Sequence, residues 1–170
     1  MWFNTLKKRA IRKSVESAKL TPVPTDFKYE FKKIGIVVEK ADSTMLSELL
    51  EALNTKGVKQ SQVQFLVYSN DNKESKGDEN FFKIKDFTMS GSTDKKEVLD
   101  FIGADYDLLI SYYTSDSAPL LWVTAKSLAK FKVGISSVNT KGNHFCLEVS
   151  DLNVKSYIDN LFKYIKVFKK

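Results

Sequence analysis

The sequence has a single cysteine, Cys146, and a single histidine, His144, among its 170 residues. An intramolecular disulfide is excluded, as is a zinc site built from several Cys and His side chains; a Ser-His-Asp arrangement would have to run through that one His. Uninterrupted apolar runs reach only four or five residues, as in Ile34 to Val38, against the roughly 20 that a membrane-spanning helix needs. The start, Met1-Trp2-Phe3-Asn4, leads into a basic cluster and not into the apolar core and small-residue cleavage site of a secretory signal. A cytoplasmic location is the expectation. Proline is scarce, and two of the three prolines stand together in Thr21-Pro22-Val23-Pro24, where they deny backbone donors and enforce an extended path.

What is present is globular in balance: 42% apolar and 28% charged residues, in a chain of the length of one domain and large enough to bury a core. The net charge of +6 is uneven. Residues 1–20 carry Lys7, Lys8, Arg9, Arg12, Lys13 and Lys19 against Glu16 alone, and residues 155–170 carry five lysines against Asp159. The segment between them holds 16 basic and 19 acidic side chains. A basic sequence often marks a nucleic-acid surface, but here the excess lies in terminal segments and not on the body, which weakens that reading.

On a helical wheel Phe3, Leu6, Ala10, Ile11, Val15 and Ala18 share one face, with Lys8, Arg9, Arg12, Lys13 and Lys19 opposite. This spacing predicts a basic amphipathic helical arm over residues 1–20, a Pro-containing linker over 21–26 and a single α/β domain over 27–170. In the body, β-branched runs at 33–39, 63–68, 106–113 and 131–136 read as strands buried on both faces, with a shorter strand at 145–149. Between them Met45, Leu46, Leu49, Leu50 and Leu53, then Val98, Leu99 and Ile102, then Leu120 to Leu128, and finally Leu152 to Phe168 recur at helical spacing. Phe81 to Phe87, in which phenylalanines are interspersed with lysines, reads as an exposed edge strand or a lid. Alternating strands and helices predict a three-layer α/β fold with a mainly parallel open sheet, Rossmann-like or flavodoxin-like.

Ligands of such sheets sit beyond the carboxyl ends of the strands. There the sequence places a polar rim, with Asp42, Ser43, Asn70, Asp71, Ser115, Asp116, Ser117 and Ser137 as ligand candidates, although the same residue types also cap helices and form turns. The turn after the first strand, Glu39-Lys40-Ala41-Asp42-Ser43-Thr44, has no glycine and a carboxylate at either end. A nucleotide pyrophosphate needs the opposite, so no nucleotide cofactor is expected. Asp42, Asp71 and Asp116 do not have the spacing of a metal loop, and no metal is expected. His144 and Cys146 share one face of a strand, but a Cys-His nucleophile normally draws its base from a distant segment, and a small core cysteine is the simpler reading. Trp122 beside Tyr112 and Tyr113 is likewise read as core.

The segments Tyr106 to Tyr113, Leu120 to Ser127 and Ala129 to Gly134 resemble a family of short uncharacterised bacterial proteins, typical of Bacteroidetes and known only as a domain of unknown function. The basic arm and the overall length are similar too, and the resemblance implies no activity. The same strand-helix-strand stretch is also similar to the acceptor half of heptosyltransferase-type glycosyltransferases, though this chain stops where a donor-nucleotide domain would begin, and no sugar-transfer residue carries over. The leading expectation is a noncatalytic cytoplasmic interaction protein. Its arm, through Lys7, Lys8, Arg9, Arg12 and Lys13, would dock peripherally to an acidic protein or an anionic membrane surface. The alternative is a small enzyme or ligand-binding domain that uses the polar rim.

Overall fold

The computed structural model describes residues 1–40, 43–71, 80–138 and 141–170. The chain opens with helix α1 (Trp2–Ser17) and an extended passage through the two prolines. It then alternates β1 (Ile34–Glu39), α2 (Ser43–Asn54), β2 (Val63–Tyr68), β3 (Phe81–Phe82), α3 (Lys96–Gly103), β4 (Leu108–Tyr112), α4 (Ala118–Lys126), β5 (Phe131–Ile135), β6 (Phe145–Leu147) and α5 (Val154–Phe168). All pairings are parallel, in a six-stranded sheet of order β3-β2-β1-β4-β5-β6. This is an α/β fold with an N-terminal helix, and its strand order is that of doubly wound sheets.

The β-branched runs become strands because both faces of the sheet are covered. Ile34, Ile36 and Val38 face a core completed by Leu49, Ala52 and Leu53 of α2 and by Tyr157, Ile158, Leu161 and Ile165 of α5. Val37, Leu66 and Leu109 face the other core, filled by α3 and α4 with Ile11 of α1. Gly35 is required by a close approach: a Cβ there would come within 2.8 Å of the Tyr106 ring and 3.1 Å of Phe101 on α3. The open side of Gly134 is occupied by the Asn143 amide, 2.5 Å from where a Cβ would stand.

The stretch 81–87 departs from the expectation of an exposed strand or lid. Only Phe81–Phe82 pair with the sheet, as its edge, and the chain then turns through a 3-10 segment, Ile84–Asp86. Phe82 and Phe87 are buried, and Phe87 meets Trp122 edge-on at 5.3 Å. The phenylalanines are drawn inward because the second core extends past the sheet edge beneath α1, where their apolar area leaves water.

Helix α1 is packed on this layer. Ile11 is fully buried, and the left-handed Gly91 (φ +83°) brings its Cα so close to the Ala10 backbone that a Cβ would lie 2.6 Å from the Ala10 carbonyl carbon. Arg12 forks onto Asp116, its Nη1 3.1 Å from Oδ1 and its Nη2 2.7 Å from the Asp116 carbonyl oxygen. The N-terminal turn is left out of the packing, with Trp2 68% and Phe3 62% exposed.

Candidate functional site

The order of the sheet reverses direction between β1 and β4, the place where open α/β sheets leave a crevice at the carboxyl ends of their strands. A crevice of about 290 Å³ lies there, lined by Glu39 at the end of β1, Met45 and Glu48 on α2, Tyr112 to Thr114 after β4, Ile135 at the end of β5, and Leu152 and Val154 at the start of α5. Larger grooves of about 400 and 660 Å³ run beside α1 and α4 and along β2 and α3. The first reaches the β5–β6 connection and the second the amino end of β2, and neither is lined by residues of β1 or β4, the strands that flank the reversal.

The crevice has an apolar wall and a negative end. Tyr112 is buried, its hydroxyl donates to the Leu152 carbonyl at 3.0 Å, and its pKa is raised, first by burial and then by the negative charges of Asp151 and Glu48. Among the described residues no lysine or arginine lines the space. At its mouth Lys40 holds a left-handed backbone (φ +47°), uncommon for a residue with a side chain, and its N–H donates to the Tyr68 carbonyl at 2.8 Å.

The polar rim expected from the sequence is largely occupied by the molecule itself. Asn70 and Ser117 converge on the Tyr68 hydroxyl, which donates to Asn70 Oδ1 at 2.7 Å. Burial raises the Tyr68 pKa, with Ser117 acting against it and Glu39 adding to it. Asp116 is held by Arg12, and the Asp71 N–H donates to Ser69 Oγ at 3.2 Å. Ser115 Oγ is buried and has no hydrogen-bond partner. Ser137 is exposed beyond β5. Asp42, the side chain of Ser43, and residues 72–79, 139 and 140 lie outside the described residues. The structure therefore brings Ser117 and Asp116 into contact with partners from distant elements, Tyr68 and Arg12, while Asn70 meets Tyr68 two residues before it; it places Glu48, Tyr112 and Leu152 at the crevice, none of which was a sequence candidate. The signal that could have found Tyr112 was its position at the end of a central strand.

The arm cations divide. Arg12 pairs with Asp116 and Lys7 Nζ approaches the Lys85 carbonyl at 3.4 Å, whereas Lys8, Arg9 and Lys13 are exposed.

The single imidazole is a clasp. His144 Nδ1 accepts from the Lys132 N–H at 2.9 Å, and Nε2 lies 2.6 Å from the Thr21 carbonyl, which assigns the proton to Nε2. The ring stacks on Phe131 at 5.8 Å. Burial lowers its pKa, Lys132 lowers it further, and Thr21 acts in the opposite sense. Burial also pushes the Cys146 thiol up, away from the reactive thiolate. Lys132 is the most deeply placed cation: only 4% exposed, it donates from Nζ to the Thr124 carbonyl at 2.9 Å at the end of α4, and burial pushes its pKa down to about 8. Trp122 packs against Phe87, away from the crevice. Among the described residues no group of three or more His, Cys, Asp or Glu side chains is arranged to hold a metal ion, and no helix is long and apolar enough to cross a membrane.

No curated protein and no solved structure is significantly similar to the chain. Residues 4–168 match a family of unknown function, DUF6913, and with nearly the whole length so matched, the chain belongs to that family.

Proposed function

We propose that this chain is a noncatalytic binding domain for a small, positively charged organic ligand, held in the crevice between β1 and β4. The observation that carries the reading is the coincidence of that crevice with the reversal of strand order, because loops diverging from adjacent strands there leave room for a ligand that neither sheet face can offer. The charge follows from the lining. Glu48 and Asp151 both act on Tyr112, and with Lys40 kept to the mouth no cation among the described residues lines the space to balance them, so an ammonium or guanidinium group is attracted and a nucleotide diphosphate is repelled. Met45, Ile135, Leu152 and Val154 supply an apolar wall for the body of the ligand, and the Tyr112 ring supplies a face on which a cation is attracted.

Binding without catalysis is the reading because the Tyr112 hydroxyl and the single imidazole are committed elsewhere. The Tyr112 hydroxyl is engaged by Leu152 and held protonated, and both nitrogens of His144 are occupied outside the crevice. Among the described residues that line the space the ionisable side chains besides the tyrosines are Glu39 and Glu48, whose charge serves to hold the ligand, and no histidine or cysteine stands with them as a nucleophile or proton shuttle.

Titration calorimetry with agmatine and putrescine, against glutarate as an anionic control, tests the proposal. The amines bind, glutarate does not, and Glu48→Gln combined with Asp151→Asn weakens the amines at least tenfold while the melting temperature stays within a few degrees. Equal behaviour of amines and glutarate, or unchanged amine binding in the double variant, overturns it.

A further inference from the structure

We infer that the solvent face and first turn of α1 form a docking surface for an anionic lipid bilayer, independent of the crevice. Because Ile11 is buried and Arg12 is held by Asp116, α1 cannot lie down on a membrane by its inner face. Its outward face is the one available. Trp2, Arg9 and Lys13 recur there at intervals of seven and four residues, on the side of the helix opposite Ile11. All three are exposed, as is Lys8.

Two features select a lipid surface over other acidic partners. The first is an aromatic pair at the tip: Trp2 and Phe3 pack edge-to-face with ring centroids 5.2 Å apart, and both are largely exposed. Trp and Phe next to cations are the groups that settle at the boundary of headgroups and acyl chains. The second is the sign of the surroundings. Residues 1–15 contain no carboxylate, and Lys7 bonds to the backbone carbonyl of Lys85, itself an exposed residue. The one carboxylate of the helix, Glu16, stands in its last turn, away from the aromatic tip, and Asp116 and Asp86 are paired with Arg12 and Lys95. An anionic leaflet is complementary to that charge, and the aromatic tip inserts where a flat protein surface offers no equivalent. The fixed packing of α1 pre-orders the cations, so the surface binds without first paying to fold a free arm.

Co-sedimentation with phosphatidylcholine vesicles, with and without phosphatidylserine, tests this on the full chain. Binding requires phosphatidylserine and falls steeply as salt is raised from low ionic strength. Trp2→Ser with Phe3→Ser abolishes sedimentation with the fold intact. Lys8→Gln, Arg9→Gln and Lys13→Gln together lower the partition coefficient by about a hundredfold, from roughly one kcal/mol per basic residue near the surface. These positions are exposed, so each variant remains folded, as near-native circular dichroism verifies. Equal binding to neutral vesicles overturns the inference, as does vesicle binding unaffected by either set of changes. A protein that ignores anionic vesicles at low salt but binds single-stranded DNA or poly-glutamate through the same residues overturns it as well.

Discussion

Replacing Lys132 by methionine removes the one cation among the described residues that the fold has taken almost wholly out of water. The ammonium lies between β5 and α4 with 4% of the residue exposed, and burial carries its pKa from 10.5 to about 8. Expressed as free energy, that change costs the folded state about 3 kcal/mol at neutral pH. Against the cost stand its hydrogen bonds to the Thr124 and Ala125 carbonyls at 2.9 and 3.4 Å, which a helix end otherwise leaves unpaired, worth about 1 to 3 kcal/mol when broken. Methionine has a similar reach and no charge. At pH 7 Lys132→Met therefore changes stability little, within about 2 kcal/mol either way.

The pH dependence is the sharper test of Lys132. A base whose pKa is lowered by folding binds fewer protons folded than unfolded between about pH 8 and 10.5. In that window stability rises with pH, so wild type gains on Lys132→Met by about 2 kcal/mol from pH 8 to pH 10. Tyr106 and Tyr157 have raised pKa values, chiefly from burial, and work in the opposite sense above about pH 10, but both are common to the two proteins and cancel in the comparison. Urea unfolding of both proteins at a series of pH values measures the difference. A difference that stays flat from pH 7 to pH 10 would refute the burial argument.

Other consequences are as specific. Gly91→Ala forces a Cβ against the Ala10 backbone from a left-handed position, so α1 must lift away; thermal unfolding falls by several degrees, and amide exchange at Ile11 accelerates to that of a surface helix. Lys40→Gly relieves the left-handed backbone at the mouth of the crevice and raises stability by about 0.5 to 1 kcal/mol in urea unfolding, where the same change at an ordinary helical site lowers it. Asp107→Ala leaves the N–H groups of Lys32 and Lys33, now bonded to Asp107 Oδ2 at 2.8 and 3.1 Å, and the Lys130 ammonium without their acceptor; the loss is about 2 kcal/mol and is read from the urea midpoint.

Runs dense in β-branched residues announced the four long strands to within a residue or two, since strands buried on both faces leave no polar alternation to misread. The order of those strands was not legible. Periodicity states that Ile34 to Val38 is covered on both sides, but not that β4, and not a later strand, lies beside it, and the crevice exists only through that neighbourhood. The rim suffered from the same limit. Asp116 read as a ligand candidate because nothing local to it is cationic, whereas its partner Arg12 is 104 residues away. Cys146 lies in β6, but His144 stands just before that strand, and its imidazole is claimed by Thr21, 123 residues distant. Phe82 and Phe87 sit among lysines and so looked exposed; their burial depends on α1 and α4 reaching over the sheet edge.

The central claim is that the reversal of strand order houses a site for a cationic ligand. It is tested most directly by titrating the isotopically labelled protein with agmatine and following amide and side-chain shifts by nuclear magnetic resonance. The account predicts saturable shifts concentrated at Glu39 and Lys40, at Tyr112 to Thr114 and at Leu152 to Val154, the residues that meet at the crevice and its mouth. Shifts that do not saturate, or that gather on the flanks of α1, α3 or β6 and leave Tyr112 unmoved, would contradict it.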